Sequence, residues 1–203
     1  VSRETNGAKK YMNVYDINQG KLLFSKSYGK KELFAYVFHE YIFYGYKNPN
    51  NNNPQYKYFV RNLDTNELLD FNFTSGYPLQ FISNNNNDKL YFAGTEVNKE
   101  KTLAVFQFSK GTTSRIDSPN VSIRPNILLL DKSEQKLVTI GKKNMTSVSL
   151  TGSYQPIETS LPFDTTLAFL NTDATFAYLK EGTGSDVALV NLTSGEVVDR
   201  SGT

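Results

Sequence analysis

The chain has 203 residues, 38% of them hydrophobic and 13% aromatic, enough for an all-β core in one domain or a large piece of one. Its charges balance in both halves, 12 basic against 10 acidic over residues 1–100 and 10 against 10 over 101–203, so no basic stripe offers a nucleic-acid or anionic-membrane surface. Without cysteine there is no disulfide or thiolate chemistry, one histidine cannot build a His/Cys zinc site, and no run of 18 apolar residues is present to span a membrane.

In chain order, the first pattern is a hairpin over residues 9–27, two strand-like runs joined by DINQGK ending at Lys21. Its turn returns 46 residues later in NLDTNE at Glu67, and then at intervals of 44, 42 and 43 residues in QFSKGTT at Gly111, SLTGSY at Ser153 and NLTSGE at Glu196. A second hairpin lies between successive copies: residues 33–46, 79–94, 127–141 and 167–182, each an apolar strand, a polar turn and another apolar strand. Strands a and b of this inner hairpin are apolar on both faces; Phe34, Tyr36 and Phe38 alternate with Leu33, Ala35 and Val37. Burial on both sides is expected where sheets stack face to face. The outer strands c and d are more polar, as in Thr65 to Asp70 and Ser109 to Asp117, and no twelve-residue segment has the period of an amphipathic helix.

The order a-b-c-d therefore repeats over 33–72, 77–118, 125–160 and 165–200, after a half unit at 9–27. Gly76-Tyr77-Pro78, Ser118-Pro119 and Leu161-Pro162 punctuate the units. Between b and c of the first full unit, residues 47–57 carry an Asn/Pro-rich stretch, expected as a flexible exposed loop. A period near 43 with four short strands predicts an all-β fold, a β-propeller of four-stranded antiparallel blades with about four and a half blades present. Closed rings use whole blades, and the chain starts at Val1, so a processed chain, a fragment or a partial ring completed by another chain or segment is expected.

The outer hairpins Asn62-Leu63-Asp64-Thr65-Asn66-Glu67, Asn191-Leu192-Thr193-Ser194-Gly195-Glu196 and Tyr15-Asp16-Ile17-Asn18-Gln19-Gly20-Lys21 resemble those of the WD-repeat, YVTN and quinoprotein-like propellers. In those families a strand ends in Asp or Asn and turns through Thr-Gly-Glu or a close variant. The resemblance covers about residues 9–200 and implies the propeller fold. The chain has no tryptophan, so the Trp-Asp dipeptide and the tryptophan-docking motif are missing, and a quinone cofactor is not implied.

No catalytic residue, metal site or cofactor is predicted. His39 would have to be the base of any Ser-His-Asp site, yet it sits at a tight hairpin bend beside Glu40. Asp131, Asp164 and Asp173 are candidate carboxylates for glycoside hydrolysis, and equally good turn formers. Asp64 and Asp186 lack a spaced calcium-ligand loop, and Gly182-Thr183-Gly184 is too short to cradle phosphate. The sequons at Asn72, Asn120, Asn144 and Asn191 are no more than this composition yields by chance. Aromatic residues crowd one blade, and Tyr46, Tyr56 and Tyr58, with His39, are the candidate binding residues; Tyr56 and Tyr58 are the expected exposed pair. The expected function is a protein-interaction scaffold that binds a protein partner through blade loops and rim. The alternatives are a propeller hydrolase or lyase, and an extracytoplasmic adhesion or carbohydrate-binding propeller.

Overall fold

The computed structural model describes residues 2–6, 9–27, 33–47, 55–97, 102–117, 121, 123–151 and 156–201. Every regular element among them is a strand. The Asn-rich stretch 48–54 and the sequon at Asn120 lie outside the described residues. The chain divides into two compact units, Val1–Pro78 and Leu79–Thr203.

The first unit holds two sheets. One is β1 (Ser2–Asn6), β2 (Lys9–Asp16) and β3 (Lys21–Ser27), paired antiparallel in that order. The other is β4 (Leu33–Phe38), β5 (Tyr41–Lys47), β6 (Tyr56–Asn62) and β7 (Phe73–Ser75), again an antiparallel meander. Met12, Val14 and Phe24 of the first sheet pack against Ile42, Tyr44 and Leu63 of the second. Strand β1 has the polar sequence SRETN, so no hydrophobic alternation announces it.

The segment Thr65 to Asp70, expected as an outer strand, is not one. Asn66 takes a left-handed conformation (φ 61°), which breaks an extended run, and only an isolated bridge between Arg61 and Leu68 remains. The outer strand is β7, which pairs with β6 through Phe73 and Tyr58.

The second unit holds three four-stranded meanders. They are β8 (Gln80–Ser83), β9 (Leu90–Thr95), β10 (Leu103–Ser109) and β11 (Thr112–Asp117); β12 (Ile127–Leu130), β13 (Lys136–Ile140), β14 (Asn144–Ser149) and β15 (Ile157–Ser160); and β16 (Thr165–Leu170), β17 (Phe176–Glu181), β18 (Val187–Asn191) and β19 (Val197–Ser201). Side chains along β13 show why these sheets stack. Leu137, with Val148 of β14, joins Tyr91, Ala93, Leu103 and Val105 of the preceding sheet. Val138 and Ile140, with Met145 of β14, join Ala168, Ala177, Leu179 and Val190 of the following sheet. One strand thus feeds two cores, as its two-faced apolar sequence requires.

The turns repeat as the strands do. In the three inner turns of this unit, Asn84, Asp131 and Asn171 accept backbone N–H bonds through Oδ1: from Asp88 and Lys89, from Gln135 and Lys136, and from Phe176. The third residue after each, Asn87, Glu134 and Ala174, sits in the left-handed region at φ 56°, 55° and 52°. In the outer turns Asp16, Asn62 and Asn191 each accept with Oδ1 from two backbone N–H groups, those of the residues two and three positions on. The short polar side chain replaces backbone partners that a tight turn leaves over, which is why Asx residues mark the period.

Candidate binding surfaces

The aromatic cluster is mostly core. Tyr58 is 2% exposed, and Gly45 opposite it explains why: a β-carbon at Gly45 would lie 2.7 Å from the Lys57 carbonyl oxygen and 2.8 Å from the Tyr58 ring, so the ring uses the space glycine leaves. Tyr56 is 8% exposed and meets Phe34 edge-on at 5.1 Å between ring centroids. The expectation that these two form an exposed pair is therefore overturned: both point into the interior side of β6, alternating with half-buried Lys57 and Phe59. Tyr46 is half-buried, with its ring 6.0 Å from Phe59, and packs on the core of the first unit. His39 is exposed at a two-residue turn with φ 52°, its ring 4.4 Å from Phe38.

Each candidate carboxylate is engaged locally. Asp131 caps its turn and accepts from the Ser133 hydroxyl. Asp173 accepts from the Thr175 hydroxyl at 2.8 Å, and that bond, with the Thr175 backbone N–H, holds its carboxyl below the usual aspartate range. Asp164 faces Lys142 at 3.9 Å, and Asp186 pairs with Arg200 at 2.8 Å. Among the described residues no three His, Asp or Glu side chains are grouped to hold a metal ion.

A polar node that sequence reasoning missed joins two sheets of the second unit. Glu134, at the tip of the β12–β13 turn, reaches the β8–β9 turn. Its Oε2 accepts from Lys89 Nζ and from the Tyr91 hydroxyl, each at 2.8 Å, and its Oε1 accepts from Asn84 Nδ2 at 2.8 Å. Asn84 also donates to Asp88 Oδ1 at 2.6 Å. The Lys89 bond is the main cause holding the Glu134 carboxyl below its ordinary value, and the same bond raises Lys89. Burial first, and then the Glu134 contact, push the Tyr91 hydroxyl up. Tyr91 stays a neutral donor and Glu134 a charged acceptor, an arrangement built for holding two sheets together. The signal in the sequence is positional: of Asn87, Glu134 and Ala174, which share one turn position, only Glu134 is charged.

The last sheet leaves one face open. Leu167, Phe169 and Tyr178 are 45%, 54% and 42% exposed. Phe169 pairs with Tyr178 and Tyr178 with Leu189, so they form one cross-strand row, and Leu167, Lys180 and Val187 form the next. Aligning the turns at Asp131 and Asn171 sets these rows against the preceding sheet. Leu167, Phe169, Tyr178, Lys180 and Val187 fall where Ile127, Leu129, Val138, Ile140 and Met145 stand, the residues that pack against the following sheet.

No protein-family model matches the chain, and no curated protein matches it. Solved structures do. Apo AztD from Citrobacter koseri is 13% identical with a TM-score of 0.63, the match covering 100% of this chain and 58% of that one. The Dos1 propeller is 10% identical at a TM-score of 0.62, covering 97% of this chain and 56% of that one. KlAtg21 or its partner, in a complex of KlAtg21 with the coiled coil of AgAtg16, matches at 11% identity and a TM-score of 0.56, over 98% of this chain and 69% of that one. The chain spans little more than half the length of the first two. At these identities the likeness shows the fold: the chain is all-β, a β-propeller with four four-stranded antiparallel blades and one three-stranded sheet among the described residues.

Proposed function

We propose that the protein is an interaction scaffold, and that the open face of β16–β19 docks a β-sheet of another polypeptide. The observation that carries this reading is the equivalence of Leu167, Phe169, Tyr178 and Val187 with residues that the preceding sheet buries against its neighbour. The chemistry of the occupant follows from that continuity. An antiparallel sheet presenting small and aliphatic side chains, as Ala168, Ala177, Leu179 and Val190 do on the covered side, fits this face. Removing each large apolar side chain from water contributes about 1.5–3 kcal/mol, enough for several together to hold a partner. The neighbour solved with a coiled coil supports a propeller as a carrier of protein partners.

The test is a photoreactive phenylalanine analogue at position 169, expressed in the native cell, with Glu196 as the exposed control position. The scaffold reading expects an adduct with a second polypeptide at 169 and little at 196. Adducts confined to the same chain, or equal yields at both positions, overturn it.

A further inference from the structure

We propose that the groove beside β3 in the first unit binds an extended acidic peptide segment as an added strand. This rests on the scaffold reading only in taking a polypeptide ligand, and it uses a different surface.

The groove has a volume of about 830 Å³ and runs along β3, with six consecutive residues from Lys21 to Lys26 on one side. Its other wall is the end of β6 and the outer turn, including Arg61, Leu63 and Asp64. Among the described strands β3 pairs with β2 alone, so its second edge presents unpaired backbone N–H and C=O groups. Seven residues of strand extend roughly 20 Å, the reach of a short peptide added edge to edge.

The charge of the walls selects the ligand. The lining carries three cations, Lys21, Lys26 and Arg61, and one carboxylate, Asp64. None of these three cations is in an ion pair among the described residues. Arg61 donates through Nη1 to the carbonyl and side-chain oxygens of Asn66, which fixes the guanidinium in the wall of the groove. A fixed guanidinium is suited to a carboxylate. Leu22, Leu23 and Leu63 supply apolar ground between the cations for alternate side chains of the peptide.

A second groove makes the point by contrast. It lies against the corresponding turn of the last sheet, where Leu192 and Thr193 hold the positions of Leu63 and Asp64. Its volume is about 520 Å³, and Gln135, Ser147, Ser149 and Ile157 line it with Lys136 as the single charge. Both grooves border an outer turn, and the one in the first unit is the cationic one.

The experiment uses the whole 203-residue chain and fluorescent peptides of alternating Glu and Val, with an alternating Lys and Val peptide as control. Anisotropy is expected to show saturable binding of the acidic peptide only, weakened about tenfold by the exposed pair Lys21→Glu and Lys26→Glu and weakened by added salt. Amide exchange is expected to slow at β3 on binding. Arg61→Lys, which keeps the charge and loses the fork, is expected to bind more weakly than wild type. Equal binding of both peptides, no effect of the charge reversals, no protection at β3, or inorganic phosphate competing as well as the peptide overturns the proposal. The crosslink at position 169 is indifferent to all of these outcomes, so the two readings fail separately.

Discussion

Glu134 joins two sheets of the second unit through three side-chain hydrogen bonds, to Asn84, Lys89 and Tyr91. Removing it leaves the Tyr91 hydroxyl, on a residue 2% exposed, and one Asn84 N–H without their acceptor. An unsatisfied buried donor costs about 1–3 kcal/mol, whereas the Lys89 pair, with side chains 36% and 23% exposed, adds little on its own. Alanine is already tolerated in this left-handed backbone at Ala174, so Glu134→Ala deletes the contacts without disturbing the turn. We expect Glu134→Ala to lower the urea-unfolding free energy at neutral pH by about 1–3 kcal/mol. The pH dependence has a definite sign. The folded Glu134 carboxyl is held below its ordinary 4.5, so its stabilisation is present above that value and is lost as pH falls through the folded one. The gap between wild type and Glu134→Gln, measured by the same unfolding, should therefore narrow on acidification; a gap constant with pH would remove the carboxylate from the account. None of this is legible from Glu134 alone, because its partners stand 43 to 50 residues away, about one repeat.

At the scale of the element, strands and turns separate by how local their causes are. The inner strands are readable because their cause is their own composition: Leu137 and Val138 point to opposite cores and both must be apolar. The Asx turns are readable because the capping side chain lies within a few residues of the groups it caps. Strand β1 and the short β7 are not readable, since SRETN and FTS are strands by virtue of their pairing with β2 and β6. The aromatic residues mislead for the same reason: burial of Tyr58 depends on the glycine across the sheet, not on its neighbours in sequence. The outer turns give a paired prediction. Gly20 and Gly195 both have positive φ, 63° and 75°. A β-carbon at Gly20 would meet nothing within 4 Å, whereas at Gly195 it would lie 2.9 Å from Ile157 Cγ2 and 2.9 Å from Thr159 Oγ1. Gly20→Ala is expected to cost about 1–2 kcal/mol, the backbone term alone. Gly195→Ala adds the displacement of Ile157 and Thr159, so its melting temperature should fall further; equal losses would show that the outer turn yields without resistance.

At the scale of the molecule, the repeat makes stability a matter of neighbours, since the middle sheet of the second unit draws its core from the sheets on both sides of it. A sheet with one neighbour then keeps a face that its own sequence has prepared for burial, and the open side of β16–β19 is such a face. An exposed face bearing Leu167, Phe169 and Tyr178 in an isolated chain is a site for self-association as well as for a partner. Phe169 is 54% exposed, so replacing it by a charged residue should disturb the fold by less than about 1 kcal/mol while removing the most exposed large apolar side chain of that face. Sedimentation velocity on the isolated 203-residue chain is expected to show concentration-dependent association for wild type and a monomer for Phe169→Asp, with unchanged thermal unfolding at low concentration. Wild type that stays monomeric at every concentration would mean that Lys180, which stands where the preceding sheet has Ile140, and the charges on β19 suffice to keep the face in water. Association that survives Phe169→Asp would place the contact elsewhere on the chain. A monomer produced by that one substitution would instead locate the contact on the row whose counterpart is buried in the preceding sheet, and would join the fold's unsatisfied face to the protein's use of it.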